Sequence, residues 1–342
     1  MSAPASLRQL ARYPLIPVII AMAIGFELAT GSFVGSQNLL GIATDSATLA
    51  IVAVPAALLV ISGYLDLSVG STYALGAVAA GWFASAHGGG LLSCVVLALL
   101  AGLAVGAING FLCCVVGLSP FIVTLGTLTA VRGIAQQLAP LPLTGFGDGF
   151  AWLGGAKIAG LPSPVAIALL VVVVAGAILT LTPVGRHIYA IGVSREAAYL
   201  SGVRVRTVPF ALFLGTGALA ALAGAIKASV LGAVQSGTAG LGFELAVLTA
   251  VLVGGVSLAG GSGTLLGVVL GVAFLGILQN GLTLVGVPTF WQQVAQGLAL
   301  VVAAGLAYLA PRLEALAAVR PQASRVSASA AESRPASRSA MS

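Results

Sequence analysis

Apolar runs of 15 to 25 residues, nearly free of charge, recur along this chain from its N-terminal region to Ala310, and they leave it few ways to fold. A hydrocarbon layer about 30 Å thick takes roughly 20 apolar residues to cross as a helix. The runs lack the period-two alternation of a transmembrane barrel. Asp, Glu, Lys and Arg together make up only 6% of the residues, too few to solvate a water-exposed surface of this size. The expected class is an all-α polytopic membrane protein of about ten transmembrane helices, over 14–32, 46–62, 71–86, 91–117, 120–138, 163–182, 208–228, 242–258, 263–280 and 291–310. The first run also has the layout of a signal peptide. An uncleaved first span is expected instead, because it keeps the number of crossings even.

Lys and Arg near span ends are retained on the cytoplasmic side, so their positions set the orientation. Eleven of the fourteen fall in three clusters: Arg8 and Arg12; Arg186, Arg195, Arg204 and Arg206; and Arg312, Arg320, Arg325, Arg334 and Arg338. Six predicted spans separate the first two clusters and four the last two, so all three face the cytoplasm together. The chain divides into a cytoplasmic N-terminus (1–13), a transmembrane domain (14–310) with a cytoplasmic loop at 183–207, and a tail (311–342). The tail is Ala, Ser, Arg and Pro with little to bury, and is expected to be a disordered cytoplasmic segment. The net charge of +6 is spread over membrane-proximal segments. That distribution suits contact with membrane lipids and argues against nucleic-acid binding.

Of 46 glycines, two runs stand at four-residue spacing, Gly102, Gly106, Gly110 and Gly263, Gly267, Gly271, each expected to line one helix face. Small faces let helix backbones approach closely where lipid provides no hydrophobic drive for association. Both runs lead to an Asn-Gly pair, Asn109-Gly110 and Asn280-Gly281, followed by Pro120-Phe121 and by Pro288 with Phe290, which suggests an internal repeat.

Polar residues inside spans are costly and often functional. Here they are Asp66, Asn109, Arg132, Lys227, Glu244, Asn280, Gln292 and Gln293. Lys227 and Glu244 border a Gly-rich external loop and are expected to snorkel outward, as is Arg132. Asp66 lies in SGYLDLSVGS, where Ser and Gly interrupt the apolar pattern and the backbone is expected to break inside protein. It either caps the next helix or serves the function. Cys94, Cys113 and Cys114 sit within spans without metal-ligand spacing and read as packing residues. His87 and His187 lie in separate loops without paired carboxylates, so neither an enzyme nor a metal site is expected.

Between two apolar runs stands a hydrophilic island, GRHIYAIGVSREAAYLSGVRVR, over 185–206. Ser194 is a good N-cap, Glu196 suits the first turn, and Gly202 is a natural stop, which predicts about two turns of helix on the membrane face.

Glu196-Ala197-Ala198 followed by Gly202 resembles the EAA loop of ATP-binding-cassette (ABC) import permeases, a short coupling helix that docks on the ATPase. Five more stretches point the same way: 62–71, NGFLCCVVGLSPFIVTLGTL (109–128), 185–192, 237–267 and QNGLTLVGVPTFWQQVAQG (279–297). In this order, from Leu39 to Ala310, the chain is similar to the ribose-type permease family, which imports monosaccharides and small polyols and has relatives that import branched-chain amino acids. It departs from the family pattern at Tyr64-Leu65, where Gly and Ile are usual, and at Val193-Ser194-Arg195, where Gly-Asn is commoner.

The resemblance implies a permease dimer, of two copies or with a paralogue, in a bacterial inner membrane. It also implies cytoplasmic ABC ATPase subunits and a periplasmic or lipid-anchored sugar-binding protein. Arg195, Glu196, Ala197, Ala198 and Gly202 would couple to the ATPase. Asp66, Ser68, Asn109, Phe121, Thr124, Asn280, Phe290 and Gln292 are the candidates for the translocation path. The residues agree independently on one point: the sequence has no G-x-x-x-x-G-K-[ST], and Lys157 and Lys227 are its only lysines, so ATP is left to the partner and no cofactor is expected in this chain. The competing readings are a secondary transporter with Asp66 and Glu244 as ion-linked acids, and an intramembrane enzyme.

Overall fold

The computed structural model describes residues 15–88 and 90–305. The expectations for 1–13, Arg8, Arg12 and the tail at 311–342 lie outside the described residues. Helices α1 (Leu15–Thr30), α2 (Ser36–Ile61), α3 (Val69–His87), α4 (Leu91–Gly110, continued by a π-helical segment at Phe111–Val116) and α5 (Pro120–Leu138) come first. They are followed by α6 (Asp148–Gly155), α7 (Ser163–Leu181), α8 (Pro183–Val193), α9 (Arg195–Leu200), α10 (Thr207–Leu231), α11 (Phe243–Val253) and α12 (Leu265–Leu284). A last helix, α13, runs over 289–305. Two short antiparallel ladders tie loops together: Leu143–Thr144 with Ala233–Val234, and Lys157–Ile158 with Leu161–Pro162.

Each predicted span contains a helix. Five among the described residues are long and apolar enough to cross a membrane: α2, α4 with its π segment, α7, α10 and α12. The fold is thus helical and polytopic. The interior is built on α10, which packs along α3, α4 and α2, while α2 also meets α7, α11 and α12. α2 has 78% of its most apolar stretch buried, whereas α7 has 17% and forms part of the rim.

Small residues set these distances. A side-chain carbon added at Gly102 would collide with the Gly217 carbonyl, and one added at Gly217 with the Gly102 carbonyl, so α4 and α10 touch backbone to backbone. Gly217→Ala is expected to lower stability by about 1–3 kcal/mol, the usual penalty of overpacking. A depressed melting temperature of the detergent-purified chain checks it.

Three expectations are corrected. Gly263 lies before α12 with φ 146°, so the second glycine run is not one helix face; only Gly267 and Gly271 of that run sit on the helix, against Gly254 and Ala250 of α11 and its end. α2 begins at Ser36 rather than 46, because backbone hydrogen bonding propagates beyond the apolar run. α11 stops at Val253 rather than 258, where Gly255 takes φ 82° and leaves the helix. Helices α6 and α8 are additions to the predicted elements, short amphipathic segments that depend on packing for their stability.

Candidate functional site

A cavity of about 680 Å³ opens between α2, α10, α11, α12 and α13. Its polar wall comes from Asp45 and Thr48 on α2, Lys227 on α10, Gln279, Asn280 and Thr283 on α12, and Gln292, Gln293 and Gln296 on α13. Lys227 Nζ donates to Asp45 Oδ1 at 2.9 Å, the one ion pair among the described residues. Lys227 thus reaches an exposed carboxylate on α2.

Asn280 and Asn38 exchange amide hydrogen bonds, each at 3.0 Å. Gln279 Nε2 donates to Gln296 Oε1 at 3.2 Å, and Gln292 Nε2 donates to the Val287 carbonyl at 2.9 Å and to Thr283 Oγ1 at 3.2 Å. The cavity thus offers neutral amides and hydroxyls around one balanced charge pair.

Glu244 and Arg132 are half-buried beside the glycine-rich loop. Glu244 Oε2 is buried without a hydrogen bond. The Arg132 guanidinium donates to the carbonyls of Ala239 and Gly240 in the glycine-rich loop. For Arg132 the fixed carbonyls of this loop provide the acceptors that water would offer outside.

The break after α2 forms a second polar centre, closed to solvent. Asp66 Oδ1 accepts from the Ser68 amide at 2.8 Å and the Ser68 hydroxyl at 2.6 Å. Asn109 Nδ2 donates to Ser68 Oγ at 2.8 Å and, at 3.4 Å, to Asp66 Oδ1, while Thr127 Oγ1 donates to Asn109 Oδ1 at 2.7 Å. Asp66, Ser68 and Asn109 are all buried. This network pins the α2–α3 break to α4 and α5, since a buried polar group must find its partner within the protein.

Of the eight translocation-path candidates, Asn280 and Gln292 line the cavity. Asp66, Ser68 and Asn109 stand in the closed network, and Thr124 is buried on α5 with its hydroxyl donating to the Pro120 carbonyl. Phe121 and Phe290 are exposed on the outside. Asp45, Gln279 and Gln296 are additions from the structure. Asp45 could have been found by carrying helical spacing back from the apolar run towards Ser36, for it is one of only eight acids.

The hydrophilic island folds as two helices. Ser194 leaves α8, and its hydroxyl accepts from the Ala197 amide at 3.2 Å, capping α9. Gly202 ends the segment with φ 79°, a left-handed conformation that favours glycine. Ala198 is buried against Ile191 of α8 and Val205, forming a small cluster separate from the main core. Tyr199 and Leu200 face outward, 67% and 80% exposed, an apolar surface beside Arg195 and Glu196.

Two contacts carry this element into the bundle. The Arg195 guanidinium lies 5.9 Å from the centre of the Tyr64 ring, and Tyr64 meets Phe213 of α10 edge to face at 5.9 Å. The two segments that depart from the family pattern therefore meet. Tyr189 of α8 donates to the Gly263 carbonyl at 2.9 Å. Partial burial raises the pKa of its phenol.

The family described as branched-chain amino acid transport system / permease component matches residues 38–304, which takes in the cavity, the buried network and both island helices. The chain belongs to this permease family. It is a multi-pass membrane protein. The permease is 38% identical to the ribose import permease protein RbsC of Haemophilus influenzae over 294 residues, covering 84% of this chain and 90% of that protein. It is 36% identical to RbsC of Bacillus subtilis over 294 residues, 85% of this chain and 90% of that one. It is 32% identical to the D-allose transport system permease protein AlsC of Escherichia coli over 288 residues, with 84% and 88% coverage. No solved structure gives a significant match.

Proposed function

We propose that this permease is the membrane subunit of an ABC importer for a monosaccharide or related small polyol. The cavity of about 680 Å³ carries this reading, because its amides, hydroxyls and single neutralised ion pair suit an uncharged solute rich in hydroxyls. Such groups exchange one modest hydrogen bond for another as the solute moves, so binding stays weak enough for release. Specificity then rests largely with a periplasmic or lipid-anchored sugar-binding protein. The similarity to ribose and allose permeases supports the same substrate class.

In this reading ten spans place both termini on the cytoplasmic side of a bacterial inner membrane, and two permease copies or paralogues meet two ATPase subunits. Helix α9 is the docking element, with Arg195, Glu196, Ala197, Ala198 and Gly202 facing or shaping the ATPase groove. Closure of the ATPase dimer on ATP pushes α9. The push passes through Arg195 to Tyr64 at the end of α2 and to Phe213 of α10. Asp45 lies further along α2 and Lys227 further along α10, about 21 Å of helix axis from Phe213. A relative movement of these helices would therefore be felt at the ion pair in the cavity.

Lys227→Met is expected to cut ATP-driven uptake by at most about fivefold in proteoliposomes, since the exposed pair it breaks is worth up to about 1 kcal/mol, and adding Asp45→Asn should restore part of it. The assignment as a whole is tested by affinity purification of the tagged chain from its native membranes. The unaltered chain should recover a P-loop ATPase with solute-stimulated hydrolysis, and Glu196→Arg should lose both. Unchanged recovery and hydrolysis with Glu196→Arg would remove α9 as the docking helix. Uptake that follows an ion gradient and ignores ATP would replace the importer with a secondary transporter.

A further inference from the structure

We propose that the groove between α2, α7, α8 and α10 is a binding site for an anionic phospholipid, with an acyl chain along α7 and the phosphate on Arg204. The groove encloses about 860 Å³, within the range of small-molecule sites. Its long walls are aliphatic: Val54 and Leu58 of α2, Leu170 and Val174 of α7, and Ala211 and Leu219 of α10. Leu170 and Val174 are 62% and 48% exposed, so this lining is open to the surrounding lipid.

Polarity appears at one end only. His187, Arg204 and Thr207 border the groove where α10 begins and α8 packs beside it. The ion pairing among the described residues is confined to Lys227 and Asp45, so no described carboxylate neutralises Arg204. From Thr207 to Leu219, α10 runs about 18 Å, close to the depth of one leaflet of a roughly 30 Å hydrocarbon core. An apolar slot one leaflet deep, closed by an unpaired guanidinium, a hydroxyl and an imidazole, matches a lipid with a hydrocarbon chain and a negatively charged headgroup. A membrane-facing helix from another protein would satisfy the aliphatic walls and leave Arg204 unmatched. Gly202 also borders the groove, which places the headgroup against the end of α9.

The test uses the full chain carrying Leu170→Trp, reconstituted in phosphatidylcholine vesicles containing bromine-labelled phosphatidylglycerol or bromine-labelled phosphatidylcholine, with the unsubstituted chain as the tryptophan background. Phosphatidylglycerol should quench the introduced fluorescence with an apparent affinity about fivefold that of phosphatidylcholine, what one arginine near an anionic headgroup contributes. Arg204→Ala should abolish the preference, and raising the salt should weaken it. Equal quenching by both lipids, or a preference that survives Arg204→Ala, would overturn the assignment. Quenching by neither would place a protein surface, such as a second copy of the permease, in the groove instead.

Discussion

Ala198→Asp is expected to reduce ATP-driven uptake by at least a hundredfold in the reconstituted importer while the membrane bundle stays folded. Ala198 is 4% exposed and packs on Ile191 and Val205, the contacts that hold α9 to its surroundings. A carboxylate there would be taken out of water among Ile191 and Val205 and would be driven out towards solvent. The short helix would swing away from α8, and with it the line from Arg195 to Tyr64. The cluster is separate from the main core, so the loss should be one of coupling rather than of fold. Cys94, Cys113 and Cys114 are free and buried, and a thiol-reactive dye reads their exposure on heating. The expected result is a melting curve near that of the unaltered chain together with lost uptake and lost ATPase recovery. Normal uptake by this variant would show that α9 does not transmit the stroke. Ala198→Gly, which keeps the space, should retain most activity.

Asn109→Leu should instead strike the fold. It removes the donor to Ser68 and Asp66 and the acceptor of Thr127 at once, leaving the buried Ser68 and Asp66 and the half-buried Thr127 each with one partner fewer. Each keeps one partner, Ser68 and Asp66 in one another and Thr127 in the Val123 carbonyl, so the expected loss is about 1–3 kcal/mol in all. The cysteine-dye transition should move to clearly lower temperature, with uptake falling in proportion to the folded fraction. Asn109→Asp should be worse, because it sets a second carboxylate against Asp66. A melting curve unchanged in both variants would mean that the network is not what closes the α2–α3 break. Asn280→Ala provides the contrast: Asn280 borders the cavity and exchanges bonds with Asn38 alone. Its expected effect is on uptake, with little change in melting.

These pairs mark how far the residues could be read in one dimension. Asn109 and Asn280 both stand out in the sequence as polar groups followed by glycine within apolar helices. Their different surroundings, one closed among Asp66, Ser68 and Thr127 and the other on a cavity wall facing Asn38, depend on contacts across 41 and 242 residues. The N-cap at Ser194 was legible because capping is local, three residues from donor to acceptor. Arg195 over Tyr64 was not, because α9 and the α2–α3 break are joined only by the packing of the bundle. Asp45 lies outside the apolar run that announces its span, because helical hydrogen bonding outlasts that run.

The sequence by itself determined that this chain spans a membrane as helices, that residues 195–200 form a capped helix in a hydrophilic island, and to which permease family it belongs. Each of these rests on local pattern: apolar run length against bilayer thickness, side chain to nearby amide, and motif order along the chain. Tertiary structure alone decided which polar residues face the cavity and which are sealed. A helix turns through a new direction every residue, and only the neighbours packed against it determine which direction meets solvent, lipid or protein.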